Sequence, residues 1–364
     1  MPLSRMSPLR AAARLLCAAA SLLGLVLAGA APAARAEEAP VIRLKVAGGL
    51  ADLTQYVLHE EPFWTRRVPE LTGGRVRAEI APFDRSGIRA QEALQLVRLG
   101  VIPFGSVLLG MAAGDDPELN AIDLPILNSD IAALRRTVEL WRPRLKSLLR
   151  ERYEVELLAI YTYPPQVMFC RQPFSGLTDL AGRRVRTSSV GQAELVSGLG
   201  GIPIMIPFAS ITSSVRDGVV DCAITGALSG NAIGLHEVTS YISPLPINWG
   251  VSVFVANQAA WSALPEAIRD ALRKGLQELE AEIWQAADRE TEEGLACNAG
   301  LPGCAAGRPG RMIVVEERWQ DEARRLQLMR AIVLPSWVRR CGTDCAEAWN
   351  RVAAPALGLW AKGE

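Results

Sequence analysis

Arg186 is the side chain in this 364-residue sequence whose position best suits an anion-binding role. It lies near the end of a short alternating stretch, Arg183 to Thr187 around Val185, and two hydroxyls, Thr187 and Ser188, follow it directly. A guanidinium presents a planar fork that matches a carboxylate, and adjacent hydroxyls can add donors to the same anion. A second strand end, Ala223-Ile224-Thr225-Gly226, brings another hydroxyl, Thr225. Tyr161, Tyr163 and Trp249 stand near places where the chain is expected to cross between lobes, where each either lines a cleft or packs a hinge. A strand arginine taken alone is more often solvated or salt-bridged, so its placement by the surrounding elements decides its reading. Enzymatic machinery is absent from the pattern. There is no G-x-S-x-G elbow, no phosphate loop and no H-E-x-x-H, and neither His59 nor His236 has a nucleophile or carboxylate at motif spacing. Turnover, with a hydrolase as its form, is the most distant of the readings.

The elements around Arg186 read as a β-α-β-α-β run over 176–230. Leu195, Val196 and Leu199 have helical spacing before the Gly200-Gly201 stop, and Ile202, Ile204 and Ile206 alternate as a strand. Val219 to Ile224 is a nearly continuous apolar strand of the kind buried in a parallel sheet. Such units place functional groups just past strand ends, where side chains converge on a cleft. Residues 42–109 repeat the pattern: strands around Ile42-Leu44-Val46, Val76-Ala78-Ile80 and Ile102 to Leu109, with helices between them. A helix from Ile131 to Arg150 and a strand from Val155 to Tyr161 follow. Tyr163-Pro164-Pro165 is the expected first crossing and Asn248-Trp249-Gly250 the second. From Pro265 a long helix is expected, since Ile268, Leu272, Leu276, Leu279 and Ile283 keep one apolar stripe along it. Glu60 and Glu61 read as a solvated helix face. In the tail, Trp337, Trp349 and Trp360 read as core anchors.

Composition bounds the class. Hydrophobic residues make up 49% of the chain, enough for a sizeable core and for one large or two ordinary domains. Residues 1–36 read as a secretory signal, with Arg5, Arg10 and Arg14 ahead of the apolar run Leu15 to Leu27 and an Ala34-Arg35-Ala36 cleavage site, in preference to an uncleaved anchor. Export to the periplasm is the expectation. Loss of that segment turns 39 basic against 39 acidic residues into 35 against 39, and no basic run stands out, which argues against a nucleic-acid partner. Four cysteines cluster late as Cys297-x6-Cys304 and Cys341-x3-Cys345. In an oxidising compartment they read as two disulfides, with a zinc site the alternative and no metal expected; Cys170 and Cys222 read as buried free thiols.

Three motifs occur in order: D-L-x-G-x-x-hydrophobic-R (Asp179, Leu180, Gly182, Val185, Arg186), L-G-G-I-P-I-x-I-P-F-x-S (Leu199 to Ser210) and G-V-V-D (Gly218 to Asp221). Over about Val41 to Glu290 the chain resembles the DctP family, the extracytoplasmic solute-binding proteins of TRAP transporters. The resemblance implies an α/β, two-lobed periplasmic binding protein fold, with lobe I at 41–163 plus 250–290, lobe II at 164–249 plus 291–364, and the long helix packed across both. It also implies a monomer without cofactor or enzymatic activity, which closes on an organic acid and delivers it to TRAP membrane permease subunits; a sensory module presenting the closed form to a membrane receptor is the rival role. In the family the arginine at Arg186 grips the ligand carboxylate. Gln166 stands where a second arginine is common, Thr225 where an asparagine is, and Leu50 and Leu108 near positions that are polar in sugar-acid binders. These departures remove polarity, so the expected ligand is an apolar or aromatic monocarboxylate. The expected ligand-binding set is Arg186, Thr225, Gln166, Trp249, Thr187, Ser188 and Tyr163.

Overall fold

The computed structural model describes residues 40–316 and 320–362; the expected signal segment lies outside them. Two sheets organise the chain. The first has the order β2 (Val76–Pro82), β1 (Ile42–Gly48), β3 (Phe104–Leu108), β10 (Ser252–Asn257), β4 (Val155–Tyr161), with β1 parallel to β2 and β3 and β10 antiparallel to β3 and β4. The second runs β11 (Ile313–Val314), β9 (Tyr241–Ile242), β5 (Gln166–Cys170), β8 (Cys222–Gly226), β6 (Arg184–Thr187), β7 (Ile202–Met205), with β6 parallel to β7 and β8. The chain passes from the first sheet to the second between Tyr161 and Gln166, and returns between Ile242 and Ser252. This is the two-lobed α/β architecture expected from the repeated β-α-β-α-β modules.

The helix Ile131–Tyr153 starts where Asp130 accepts a hydrogen bond from the Ala133 N–H at 2.7 Å, and it ends at Glu154 in the left-handed conformation. The long helix spans Glu266–Ala299, and its stripe Ile268, Leu272, Leu276, Leu279 and Ile283 is buried against the first sheet's aromatic core. Farther along, the same helix meets the helix Ala227–Ala232 of the second lobe. Gly294 makes that approach possible, because a Cβ there would lie 2.4 Å from the Leu228 nitrogen. One helix therefore ties the two sheets together.

The tail packs against both lobes. Trp337 and Trp349 form an aromatic stack with Trp141 of the helix Ile131–Tyr153, with ring centroids 5.7 and 6.1 Å apart. Ile332 fills the space beside Gly198, and Arg340 pairs with Glu194 at 2.7 Å. Trp360 departs from its expected core role, being 62% exposed. The cysteines also depart from one expectation. Cys297–Cys304 and Cys341–Cys345 are disulfides, but so is Cys170–Cys222. Both of those residues are buried as expected; the antiparallel register of β5 and β8 sets them directly opposite each other, where two thiols can join. With these cysteines paired, none is available to zinc, and no group of three or more metal-ligating side chains occurs among the described residues. No helix among them is long and apolar enough to cross a membrane.

Candidate functional site

A cleft opens where strand ends of the two sheets face each other. The first sheet supplies Leu50 and Leu53 after β1, and Leu108 and Met111 at the end of β3. The second supplies Arg186 and Ser188 from β6, and Thr225 and Ser229 from β8, while Tyr163, Gln166, Asn248 and Gly250 come from the two crossings. The ends of parallel strands converge here because each β-α unit leaves the sheet on that side.

Arg186 is 2% exposed, and among the described residues its guanidinium makes two hydrogen bonds, Nε to the Ile206 carbonyl at 2.9 Å and Nη1 to the Ile224 carbonyl at 2.6 Å. Both partners are neutral backbone oxygens. No carboxylate pairs with it among the described residues, and burial without a countercharge pulls its pKa down to about 9. It therefore stays protonated at neutral pH. A desolvated cation held in place by two carbonyls, on the lining of a cleft, has the charge and donor geometry to pair with an anion.

Around it the polar groups are neutral. Gln166 Oε1 accepts from Gln192 Nε2 at 2.9 Å, and Gln192 Nε2 also lies 2.6 Å from Asn248 Oδ1. Ser188 donates its backbone N–H to Gln192 Oε1 at 2.7 Å, and its hydroxyl lies 3.3 Å from Gln166 Oε1. The Thr225 hydroxyl is buried at the cleft wall with no hydrogen bond among the described residues. Tyr163 accepts from the Leu50 N–H, and burial raises its phenol well above the usual range, so it is a neutral donor.

Two expected site residues stand elsewhere. Thr187 follows Arg186 on the strand, so its side chain points to the opposite face, where it is fully buried. Trp249 sits between Asn248 and Gly250, which both line the cleft; alternation turns its indole away, and Nε1 donates to the Asn128 carbonyl at 3.0 Å. It packs the hinge. Gly250 adopts φ 70°, and a side chain there would crowd Gln166 Nε2 at 3.0 Å.

Sequence reading missed the groups that hold the cleft's backbone. Asp123 accepts the N–H groups of Trp249 at 2.9 Å, Gly250 at 2.8 Å and Val251 at 3.2 Å, which pins the returning crossing. Glu60, expected on a solvated face, is 0% exposed and accepts from the Gly49 N–H and from Gln55 Nε2, each at 2.6 Å. The helix beginning near Thr54 includes wide i→i+5 turns over Gln55–Glu60, so uniform helical spacing misassigns its faces. Burial raises the Glu60 carboxyl to about 7 and Asp123 to about 6, with their hydrogen bonds opposing the rise. Gln192 carries no sequence signal beyond polarity, and Asn248 is expected at the second crossing but not in the binding set.

The profile of a bacterial extracellular solute-binding protein family, family 7 (DctP), matches residues 53–297. Among characterised relatives, the chain is 29% identical over 270 residues to the outer membrane transporter protein TsaT of Comamonas testosteroni, covering 71% of this chain and 75% of that one. A solved structure of DctP7, a Bordetella pertussis extracytoplasmic solute receptor binding pyroglutamic acid, superposes with a TM-score of 0.75 at 19% identity, covering 85% of this chain and 99% of that one. A TRAP periplasmic solute-binding protein from a Sulfitobacter species with bound β-D-galacturonate gives 0.73 at 16% identity, covering 85% and 99%. These likenesses carry the fold, and the profile match carries the family, which is one of solute-binding transport proteins and not of enzymes. The chain belongs to the bacterial extracellular solute-binding protein family 7, DctP.

Proposed function

We propose that this protein works in the periplasm as the solute-binding component of a TRAP-type uptake system, and that its cleft captures a monocarboxylate with an apolar or aromatic body for a membrane permease. The observation that carries the reading is Arg186, a buried cation with no carboxylate partner among the described residues, lining a cleft between the two lobes. A carboxylate entering there would supply the missing countercharge and complete the guanidinium's fork. Ser188, Thr225, Gln166 and Tyr163 are the neutral groups within the cleft that assist.

Among the described residues Arg186 is the one charged side chain lining the cleft, which supports a ligand with a single carboxylate. Leu50, Leu53, Leu108, Met111, Phe208 and Val251 give the wall an apolar share beside its neutral polar groups, which supports an apolar body. The hydroxyls of a uronic acid would face leucines and lose about 1–3 kcal/mol for each one left unpaired. The two solved relatives bind pyroglutamic acid and galacturonate, both carboxylates, which supports a carboxylate ligand here.

Thermal-shift screening of organic acids, followed by calorimetry on the wild type and Arg186→Ala, tests the reading. Aromatic or branched apolar monocarboxylates are expected to stabilise the protein most. Arg186→Ala is expected to cost about 2–5 kcal/mol of binding, a loss of roughly 30-fold or more. A largest shift from uronic acids or C4 dicarboxylates would overturn the ligand class; unchanged affinity in Arg186→Ala would overturn the site.

A further inference from the structure

The C-terminal extension lies beyond the residues that the family profile covers and builds a face that the ligand cleft does not use. The helix Leu334–Cys341 and the segment 358–362 form a groove with Leu334, Pro335 and Val338 in its wall. Arg330, Arg339 and Lys362 stand around it, all exposed. None of the three has a carboxylate partner among the described residues, and Arg339 makes a single bond to Ser336 Oγ at 2.8 Å.

Trp360 lines the same groove at 62% exposure, and its exposure is structurally imposed. Its neighbours Leu359 and Ala361 are buried, and both are tied down by the helix Thr343–Val352. Trp349 Nε1 donates to the Leu359 carbonyl at 2.7 Å, while Asn350 exchanges two bonds of 2.8 Å with the Ala361 backbone. With both flanking residues fixed inward, the indole between them is presented outward.

We propose that this face seats on an anionic phospholipid surface, with Trp360 entering the headgroup layer and Arg330, Arg339 and Lys362 meeting lipid phosphates. An amphipathic indole favours the membrane–water boundary, and exposed Lys and Arg side chains add attraction to an anionic leaflet. A lone exposed aromatic among unpaired cations fits a headgroup layer better than a protein interface, because Leu334 and Val338 are buried and leave little apolar area to cover. Outside the signal segment the chain carries 35 basic against 39 acidic residues, so an anionic surface repels the molecule as a whole and the contact is confined to this face. Export to the periplasm, proposed above, would bring the face to such a leaflet; the binding itself does not depend on it.

Co-sedimentation of the chain from Glu37 onward with vesicles of phosphatidylethanolamine and phosphatidylglycerol, against vesicles of phosphatidylcholine, tests the inference. The wild type is expected to bind the anionic vesicles at low salt and to release at high salt. Trp360→Ala should weaken the partition several-fold. The triple variant Arg330→Gln, Arg339→Gln, Lys362→Gln should weaken it on the order of 100-fold. Calorimetric ligand binding should be unchanged in both variants, so failure on vesicles and failure of the ligand reading are told apart. Equal binding to the two vesicle types, or wild-type binding by both variants, overturns the inference. So does binding only to vesicles that contain a membrane protein.

Discussion

Glu60 and Asp123 are buried carboxylates that hold the cleft's backbone through neutral donors. Their folded pKa values, about 7 and about 6, lie above ordinary values of 4.5 and 3.8, so the folded state binds protons more tightly than the unfolded chain. Stability from this source is fully present below the ordinary pKa and is lost as pH rises through the folded one, for Glu60 between 4.5 and about 7. The charge being desolvated is worth of order 3 kcal/mol at most. Melting curves at pH 5 and pH 8 should therefore show Glu60→Gln gaining on the wild type as pH rises; a constant difference would mean that Glu60 is ionised throughout. Asp123→Ala removes the acceptor of three backbone N–H groups and should cost about 1–3 kcal/mol for each group left unsatisfied. Urea unfolding measures it. A cost below about 1 kcal/mol would mean that water replaces the carboxylate.

At the scale of elements, the bridges Cys170–Cys222, Cys297–Cys304 and Cys341–Cys345 differ most in the length of chain they close, with separations of 52, 7 and 4 residues. On chain entropy the first is worth about 4 kcal/mol and the others about 2 each. It also joins the central strands β5 and β8, whose ends deliver Gln166 and Thr225 to the cleft. Intact mass of the oxidised chain from Glu37 onward should lie six hydrogens below that of the reduced chain, two for each bridge. A difference of four would mean that one of the three bridges is absent. Cys170→Ala with Cys222→Ala should lower stability more than removal of either short bridge.

For the whole molecule, the crossings 161–166 and 242–252 are the segments that a closing motion must bend, and the long helix Glu266–Ala299 spans the same division. A ligand that touches Arg186 on one side and Leu50 or Leu108 on the other favours the closed form by the contacts that only that form makes. Saturation at about a hundred times the dissociation constant should add about 2.7 kcal/mol of stability. Small-angle scattering should show the radius of gyration falling when the best ligand of the screen is added. Arg186→Ala should show no such fall at the same concentration. An unchanged radius in the wild type, with binding confirmed by calorimetry, would mean that ligand enters a cleft already closed.

The repeated β-α-β-α-β modules, the crossing near Pro164 and the apolar stripe of Glu266–Ala299 were legible in the sequence, because short-range periodicity and turn residues specify them. So was the position of Arg186 in a strand that ends at the cleft. What lay beyond the sequence was which way each side chain faces and what it meets there. Alternation places Trp249 opposite Asn248 and Gly250, but only the packing of the hinge decides that the amide faces the cleft and the indole faces Asn128. Cys170 finds Cys222 through the register of two strands 52 residues apart, which no local pattern encodes. Glu60 is buried because wide turns rotate the helix that carries it, and Trp360 is exposed because its two neighbours are fastened inward. Local periodicity determines the elements; their facing is set by long-range contacts that form only when the sheets and the tail assemble.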